Sequence, residues 1–171
     1  MKEYLVIRRD IEPAYENEYS EWTRVRKTNK TAVDLYSRHY SSKKSGKSQK
    51  DWLKHGITSP GESIVLITAD HLALFVWLKQ RYSMNNQTGI NCAVFRNEGN
   101  ALSSRLILSA EKVAENRWGM NRFYTYIDPT QVISTNPGYC FLMAGWNYVR
   151  KETSKKLTTS RGLLVMEKRS L

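Results

Sequence analysis

A strand, a glycine turn and a helix follow one another in residues 89–115, and this stretch has the clearest chemical content of the chain. The apolar run of residues 90–95 predicts a strand, and a helix is expected to begin near Ser103. Backbone N–H groups in such a turn, and at the start of the following helix, point at an anion that lies there. We therefore expect phosphate contacts from Arg96, Asn97, Gly99, Ser103 and Ser104. The alternative is an ordinary turn whose glycine only permits a tight bend.

Two other places carry side chains that can move protons. Asp128 follows a predicted strand of residues 123–127, and the carboxyl ends of strands in α/β sheets open onto ligand crevices. Asp128 could accept a proton or bind a metal there, although an aspartate before Pro129 also starts turns. His39, with Tyr40 beside it, can act as a base or a metal ligand at neutral pH, and a surface role is the alternative. No HxH or CxxC spacing supports a metal independently.

The charge of the chain favours a polyanionic partner. Lys and Arg number 27 against 16 Asp and Glu, a formal net charge of +11, and nucleic acid is the first candidate. Ten cations lie in residues 24–54 against two acids, and a second cluster comprises Arg150, Lys151, Lys155, Lys156 and Arg161. We predict a surface that follows DNA phosphates, with a solvated basic surface as the alternative. Its candidate residues are Arg38, Lys43, Lys44, Lys47 and Lys50.

Periodicity predicts the elements that position these residues. Helices are expected in residues 11–27, where Tyr15, Tyr19 and Trp22 form an aromatic face, and in residues 31–40, 103–118 and 139–144. Strands are expected in residues 2–8, 63–68, 72–78, 90–95 and 123–127, with a final pair in residues 145–149 and 162–168. Residues 41–58 read as a mobile basic loop. This order predicts one domain, residues 1–171, of α/β or α+β class with a mixed sheet flanked by helices.

Three observations bear on the setting of the protein. No stretch approaches the roughly 20 apolar residues that a membrane-spanning helix needs. The early charges of the N-terminal segment are untypical of a signal peptide, so we expect a cytoplasmic protein with no membrane partner. Cys92 and Cys140 sit in apolar surroundings and are expected to be buried free thiols.

The second half of the chain carries a more specific resemblance. The strings NCAVFRNEG, SSRLI, YTYIDP, NPGYCFLMAGW and RGLLVMEK resemble the Mom-type DNA modification proteins of phages, a match that covers roughly residues 60–168. This family is similar in fold to GNAT acyltransferases, whose acyl-CoA pyrophosphate loop the Arg-x-x-Gly-x-Ala order of the glycine turn also resembles. The resemblance implies a GNAT-like mixed central sheet. It also implies an enzyme, in the host cytoplasm, that converts adenine in duplex DNA to an N6-carbamoylmethyl or related derivative and so protects phage DNA from restriction.

The resemblance also implies roles for individual residues. His39, Tyr40 and Asp128 would form the catalytic site, with Tyr139 as a general acid. His39 and Asp128 could also hold iron or zinc. The donor would be acetyl-CoA or another activated glycyl or acyl group. Tyr126 and Asn136 would contact the DNA, Tyr126 by stacking on an extruded base. A conventional GNAT N-acetyltransferase acting on another amine, and a DNA-binding protein without catalysis, remain alternatives. A homodimer formed through apolar residues near the final hairpin also remains open.

Overall fold

In the part of the chain that the structure describes, eight strands form one sheet, with helices on both faces. The structure is a computed structural model that describes residues 11–12, 21–81, 85–119, 121–132 and 135–169. Its strands are β1 (Ile11–Glu12), β2 (Trp22–Val25), β3 (Gly61–Thr68), β4 (Ala73–Gln80), β5 (Ile90–Asn97), β6 (Arg122–Ile127), β7 (Asn147–Tyr148) and β8 (Leu164–Arg169). Its helices are α1 (Lys30–Ser37), a 3₁₀ helix (Tyr40–Lys44), α2 (Gln49–His55), α3 (Ser103–Trp118) and α4 (Tyr139–Met143).

The order of the strands across the sheet is β1-β2-β3-β4-β5-β6-β8-β7. Neighbours are antiparallel except β5 and β6, which are parallel and pair only from Ile90 with Phe123 to Cys92 with Thr125. The ladder between β4 and β5 shifts register between Val76 and Trp77. A register shift of this kind bends a strand. Beyond Cys92, β5 and β6 are no longer paired, and a gap opens between their carboxyl ends. The predicted mixed sheet flanked by helices is confirmed.

Helix α3 covers one face of the sheet because its apolar residues form one stripe. Leu106, Ile107, Ala110 and Ala114 are buried at helical spacing, as the sequence predicts. Two indoles from the sheet donate to carbonyls of this helix: Trp22 to Leu106 at 3.0 Å and Trp77 to Ala110 at 2.9 Å. These bonds satisfy both indoles without water, and they fix the helix along the strands that carry them.

The opposite face is covered by α1 and α2. Val33, Leu35 and Tyr36 of α1 pack with Trp52 of α2 against buried residues of β3 and β4. The rings of Tyr36 and Trp52 meet edge to face at 4.9 Å. This packing holds the chain that follows α1, and therefore His39, against the sheet.

Two predictions about the first third of the chain are wrong. The helix expected in residues 11–27 is replaced in residues 22–25 by β2, which pairs with β3. Trp22 packs in the hydrophobic cluster on one face of the sheet, and Val25 packs in the cluster on the other face. Strand β2 therefore lacks the regular alternation of apolar and polar residues that identifies a strand with one face in solvent. Tyr15, Tyr19 and the strand expected in residues 2–8 lie outside the described residues.

The mobile loop expected in residues 41–58 instead contains most of the 3₁₀ helix and all of α2. A capping box begins α2: the Asp51 N–H donates to the Ser48 hydroxyl at 3.3 Å, and the Ser48 N–H donates to the Asp51 carboxylate at 2.8 Å. The buried Trp52 then anchors the helix. The Ser-x-x-Asp spacing is therefore the sequence feature that indicates this helix. Within the described part of the chain, no helix is long and apolar enough to cross a membrane.

Candidate active site

A cavity of about 140 Å³ lies in the gap between β5 and β6. The gap exists because the parallel pairing stops at Cys92, which leaves the last residues of both strands apart. Its lining includes His39, Tyr40, Cys92, Phe95, Thr125, Tyr126, Val132, Cys140 and Phe141. The cavity therefore brings together three candidate site residues predicted from the sequence: His39 and Tyr40 at the start of the 3₁₀ helix, and Tyr126 of β6.

His39 forms part of the cavity wall as a neutral imidazole. It caps the 3₁₀ helix, and its Nδ1 accepts a hydrogen bond from the Ser41 N–H at 3.2 Å. Burial, with a contribution from the nearby Arg96 guanidinium, lowers the pKa of His39 to about 4. With Nδ1 accepting from the Ser41 N–H, the proton of the neutral ring is assigned to Nε2, and the Ser41 hydroxyl, 2.7 Å from Nδ1, then donates to the same nitrogen. The neutral ring can donate a hydrogen bond through its remaining N–H, and its low pKa makes His39 a weak base at neutral pH.

Tyr40 connects His39 to Asp128. The rings of His39 and Tyr40 lie against each other, with centroids 4.3 Å apart. Burial raises the pKa of the Tyr40 hydroxyl, and a hydrogen bond with the backbone of Asp128 partly offsets that rise. Tyr40 is accordingly a neutral phenol that can donate a proton in a hydrogen bond.

Asp128 is only 5% exposed and is held as a carboxylate. Its Oδ2 accepts from the Lys44 ammonium at 2.7 Å, and its Oδ1 accepts from the Thr130 hydroxyl at 2.6 Å and the Thr130 N–H at 3.0 Å. The Lys44 hydrogen bond, followed by the Thr130 hydroxyl, lowers the pKa of Asp128. A carboxylate with a low pKa is a weak base, so Asp128 can take a proton efficiently only when Lys44 moves away.

The donor atoms of this site do not fit a metal ion as they stand. Asp128 already has an ammonium on one oxygen, and His39 directs Nδ1 to Ser41. Among the described residues, no group of three or more His, Cys, Asp and Glu is placed to hold a metal. We therefore derive no step through iron or zinc.

The glycine turn lies immediately after the cavity-lining Phe95. The Asn97 amide donates to the Ala101 carbonyl at 2.7 Å and to the Ser103 hydroxyl at 3.0 Å, and its Oδ1 accepts from the Gly99 N–H at 3.0 Å. Asn97 thus shapes the turn and fastens it to α3.

The start of α3 lacks a side-chain cap. Its N-cap residue, Leu102, offers no side chain to the first-turn N–H groups, which include those of Ser103 and Ser104. These groups have no partner inside the helix and are suited to an anion.

Other predicted residues are engaged elsewhere. Arg96 donates to Glu98 at 3.1 Å and to the Arg38 carbonyl at 2.8 Å, and Arg38 forms an ion pair with Glu98 at 2.9 Å. Both guanidinium groups are therefore neutralised in part by one carboxylate. Lys44, expected to contact DNA, pairs with Asp128, and its side chain remains 56% exposed.

The remaining predicted contacts divide between the surface and the cavity. Lys43, Lys47 and Lys50 are exposed, as a phosphate-binding surface requires. Asn136 is also exposed, whereas Tyr126 lines the cavity. Tyr139 is 55% exposed and does not line the cavity, although its neighbour Cys140 does, so the structure does not place Tyr139 as a general acid there.

Some residues of the site were not identified from the sequence. Ser41, which sets the tautomer of His39, is one, and Thr125, whose hydroxyl donates to the Cys92 carbonyl at 2.8 Å, is another. Cys92 is a buried free thiol as expected, and burial raises its pKa, so it is a protonated wall residue. Cys140 is also free but only partly buried.

The mixed sheet and the strand–turn–helix connection agree with the α/β or α+β layout expected from the sequence. Comparisons of the chain with protein-family models, with curated proteins and with solved structures gave no match.

Proposed function

We propose that this protein is a Mom-type transferase that modifies the N6 amine of adenine in duplex DNA, using an activated acyl or glycyl donor. The observation that carries the proposal is the cavity between β5 and β6, with His39 and Tyr40 in its wall and the backbone of Asp128 hydrogen-bonded to the Tyr40 hydroxyl. The basic segment that follows Tyr40 lies beside this cavity, because Lys44 reaches Asp128.

The cavity suits one extruded base. Its volume of about 140 Å³ is below the roughly 300 Å³ at which pockets for drug-sized ligands begin. Enzymes that act on a base in a duplex extrude it into such a pocket and stack it on aromatic or apolar side chains. Tyr40, Tyr126 and Phe141 supply these surfaces.

The residues have complementary roles in the transfer. The N6 nitrogen attacks the electrophilic carbon of the donor, an N–C bond forms, and the leaving group departs with its electron pair. Asp128 takes the N6 proton after Lys44 has moved away from it. The Nε2–H of His39 and the hydroxyl of Tyr40 donate hydrogen bonds to the oxygen or ring nitrogen on which negative charge develops.

The donor would lie along the glycine turn. The N–H groups of the first turn of α3 lack a side-chain cap, and they follow the cavity-lining Phe95 closely in sequence. Helix N-termini of this kind bind phosphate groups, so a donor carrying a phosphate or pyrophosphate handle fits this edge of the cavity. This feature alone would equally serve the alternative, an acetyl-CoA-dependent N-acetyltransferase acting on a different amine.

Mass spectrometry of nucleosides from cells that express the protein tests the proposal. We expect a new modified deoxyadenosine with the wild type, and its loss in Asp128→Asn, because the amide cannot take the N6 proton. Tyr139→Phe is the matched control, since this exposed side chain lies outside the cavity and the substitution should leave the product unchanged. Unmodified DNA in cells that contain folded wild-type protein would refute the proposal, and acetylated amines in the same cells would support the alternative.

A further inference from the structure

The chain between β7 and β8 is an ordered basic ribbon. We use this name for residues 149–163, which form two tight turns. The first is closed by the Lys151 N–H donating to the Lys155 carbonyl at 2.8 Å, and the second by the Thr159 N–H donating to the Leu163 carbonyl at 2.9 Å. Bridges between Arg150 and Lys156 and between Thr158 and Leu164 continue the sheet into the ribbon. The ribbon is therefore hydrogen-bonded in register along its length.

The ribbon projects from the end of the sheet where the cavity opens. Leu164, the first residue of β8, pairs with Ile127, the last residue of β6, and Asp128 follows directly. Neighbouring strands lie about 4.8 Å apart, so the ribbon begins one strand away from the rim of the cavity. On the other side of Asp128, the contact with Lys44 places the 3₁₀ helix and the start of α2. Two basic segments thus flank one opening.

The ribbon is strongly cationic and partly rigid. It contains five Lys and Arg residues against one acid, Glu152. Arg150 donates to the Ser154 carbonyl at 2.9 Å, and the Lys156 ammonium lies 3.8 Å from the centre of the Tyr148 ring. These two cations stiffen the ribbon, whereas Lys151, Lys155 and Arg161 are exposed at its turns. A preorganised set of cations loses little freedom when it binds phosphates.

We propose that the ribbon is the second arm of a clamp on duplex DNA. The first arm carries Lys43, Lys47 and Lys50, and the ribbon contacts phosphates on the other side of the nucleotide that enters the cavity. Arms on both sides hold the flanking backbone while the base between them is extruded, which a one-sided surface cannot do. This inference rests on the proposed function, because it takes duplex DNA as the substrate. The sequence resemblance and the candidate site assign no role to the ribbon.

Salt-dependent binding to a short duplex tests the clamp with three matched variants of the full chain. The ribbon variant is Lys151→Gln, Lys155→Gln and Arg161→Gln, which spares the two stiffening cations. The first-arm variant is Lys43→Gln, Lys47→Gln and Lys50→Gln. The control variant is Lys79→Gln, Arg81→Gln and Arg169→Gln, which removes three exposed cations at the opposite end of the sheet. Melting temperatures confirm that all three variants are folded.

Each lost phosphate contact lowers the magnitude of the slope of log affinity against log salt by about 0.9. We therefore expect the ribbon variant and the first-arm variant each to lower that slope by about two to three, and to weaken binding at least tenfold near 0.15 M salt. The control variant should bind as the wild type does.

If the wild type binds DNA and the ribbon variant has the same affinity and the same salt dependence, the clamp is overturned and the proposed function stands. Equal weakening by the control variant would also overturn it, since only the overall charge would then matter. A wild type that does not bind duplex DNA would overturn the proposed function and the clamp together.

Discussion

Replacing Lys168 by Met should destabilise the protein strongly, because it leaves a buried carboxylate without its counter-ion. Glu111 lies in the apolar stripe of α3, with a side chain only 6% exposed. Its Oε2 accepts from the Lys168 ammonium at 2.6 Å and its Oε1 accepts from the Trp146 indole at 2.6 Å. Lys168 also donates to the Ala144 carbonyl at 2.8 Å. The cluster joins α3, β8 and the turn that follows α4.

The size of the effect follows from these contacts. Removing one partner of a buried ion pair costs roughly 3–5 kcal/mol. The Lys168 side chain is 24% exposed, so water can reach the site in part, and we take about 3 kcal/mol at pH 7. In a protein that already carries Glu111→Gln, the same substitution removes only hydrogen bonds from the ammonium to uncharged acceptors and should cost about 1 kcal/mol. The two positions should therefore be coupled by about 2 kcal/mol.

The pH dependence gives a second, independent test. Burial raises the pKa of Glu111, so the native state keeps its proton to a higher pH than the unfolded chain does. The stability associated with this group is full below the unfolded pKa, near 4.3, and is lost as the pH rises through the raised folded pKa. Lys168→Met removes a cation that lowers the pKa of Glu111. In the variant the folded pKa of Glu111 is therefore higher still, and the loss of stability continues to a higher pH. Its cost should be small near pH 4 and reach about 3 kcal/mol at pH 7.

Urea unfolding followed by tryptophan fluorescence measures these differences, provided that the dependence on urea concentration is unchanged. Lys79→Met, at an exposed position of β4, is the control and should change the free energy of unfolding by less than about 0.5 kcal/mol. A cost below about 1 kcal/mol at pH 7, or the same cost at pH 4 and pH 7, would refute the reasoning.

Two further predictions concern His39 in the cavity wall and Gly89 in the turn before β5. The lowered pKa of His39, about 4, predicts that stability falls by about 3 kcal/mol as the pH drops from 6.5 to 4. His39→Asn should lack this part of the pH dependence in urea unfolding, and an unchanged profile would contradict the buried neutral ring. Gly89→Ala should cost more than about 2 kcal/mol, because Gly89 has a φ of 114° and its Cβ would lie 2.1 Å from the Arg122 carbonyl oxygen. Gly119→Ala is the control, because Gly119 has a φ of 73° and an added Cβ there would meet no atom within 4 Å. It therefore measures the backbone strain alone and should cost about 1 kcal/mol. Equal melting temperatures of the two variants would exclude the clash at Gly89.

The central elements of the fold could be predicted because their patterns are local. Helix α3 was expected in residues 103–118 and occupies them, since one apolar stripe and a terminal glycine define it. The capping box of α2 is also a local signal, but the polar composition of residues 41–58 predicts a loop. Strand β2 could not be predicted in this way, since its two buried residues face different clusters and neither periodicity applies.

The sequence alone determined which residues could form the central strands, which stretch makes the glycine turn, and that the surface is basic. These features follow from local sequence patterns or from composition, which can be read without knowing which distant segments pack together. Only the tertiary structure decided where β5 and β6 separate, that His39 is buried and neutral, and that Lys44 lies on Asp128, 84 residues away along the chain. Register and ion pairs of this kind depend on packing between distant segments, and the pKa of each group follows from the burial that this packing produces.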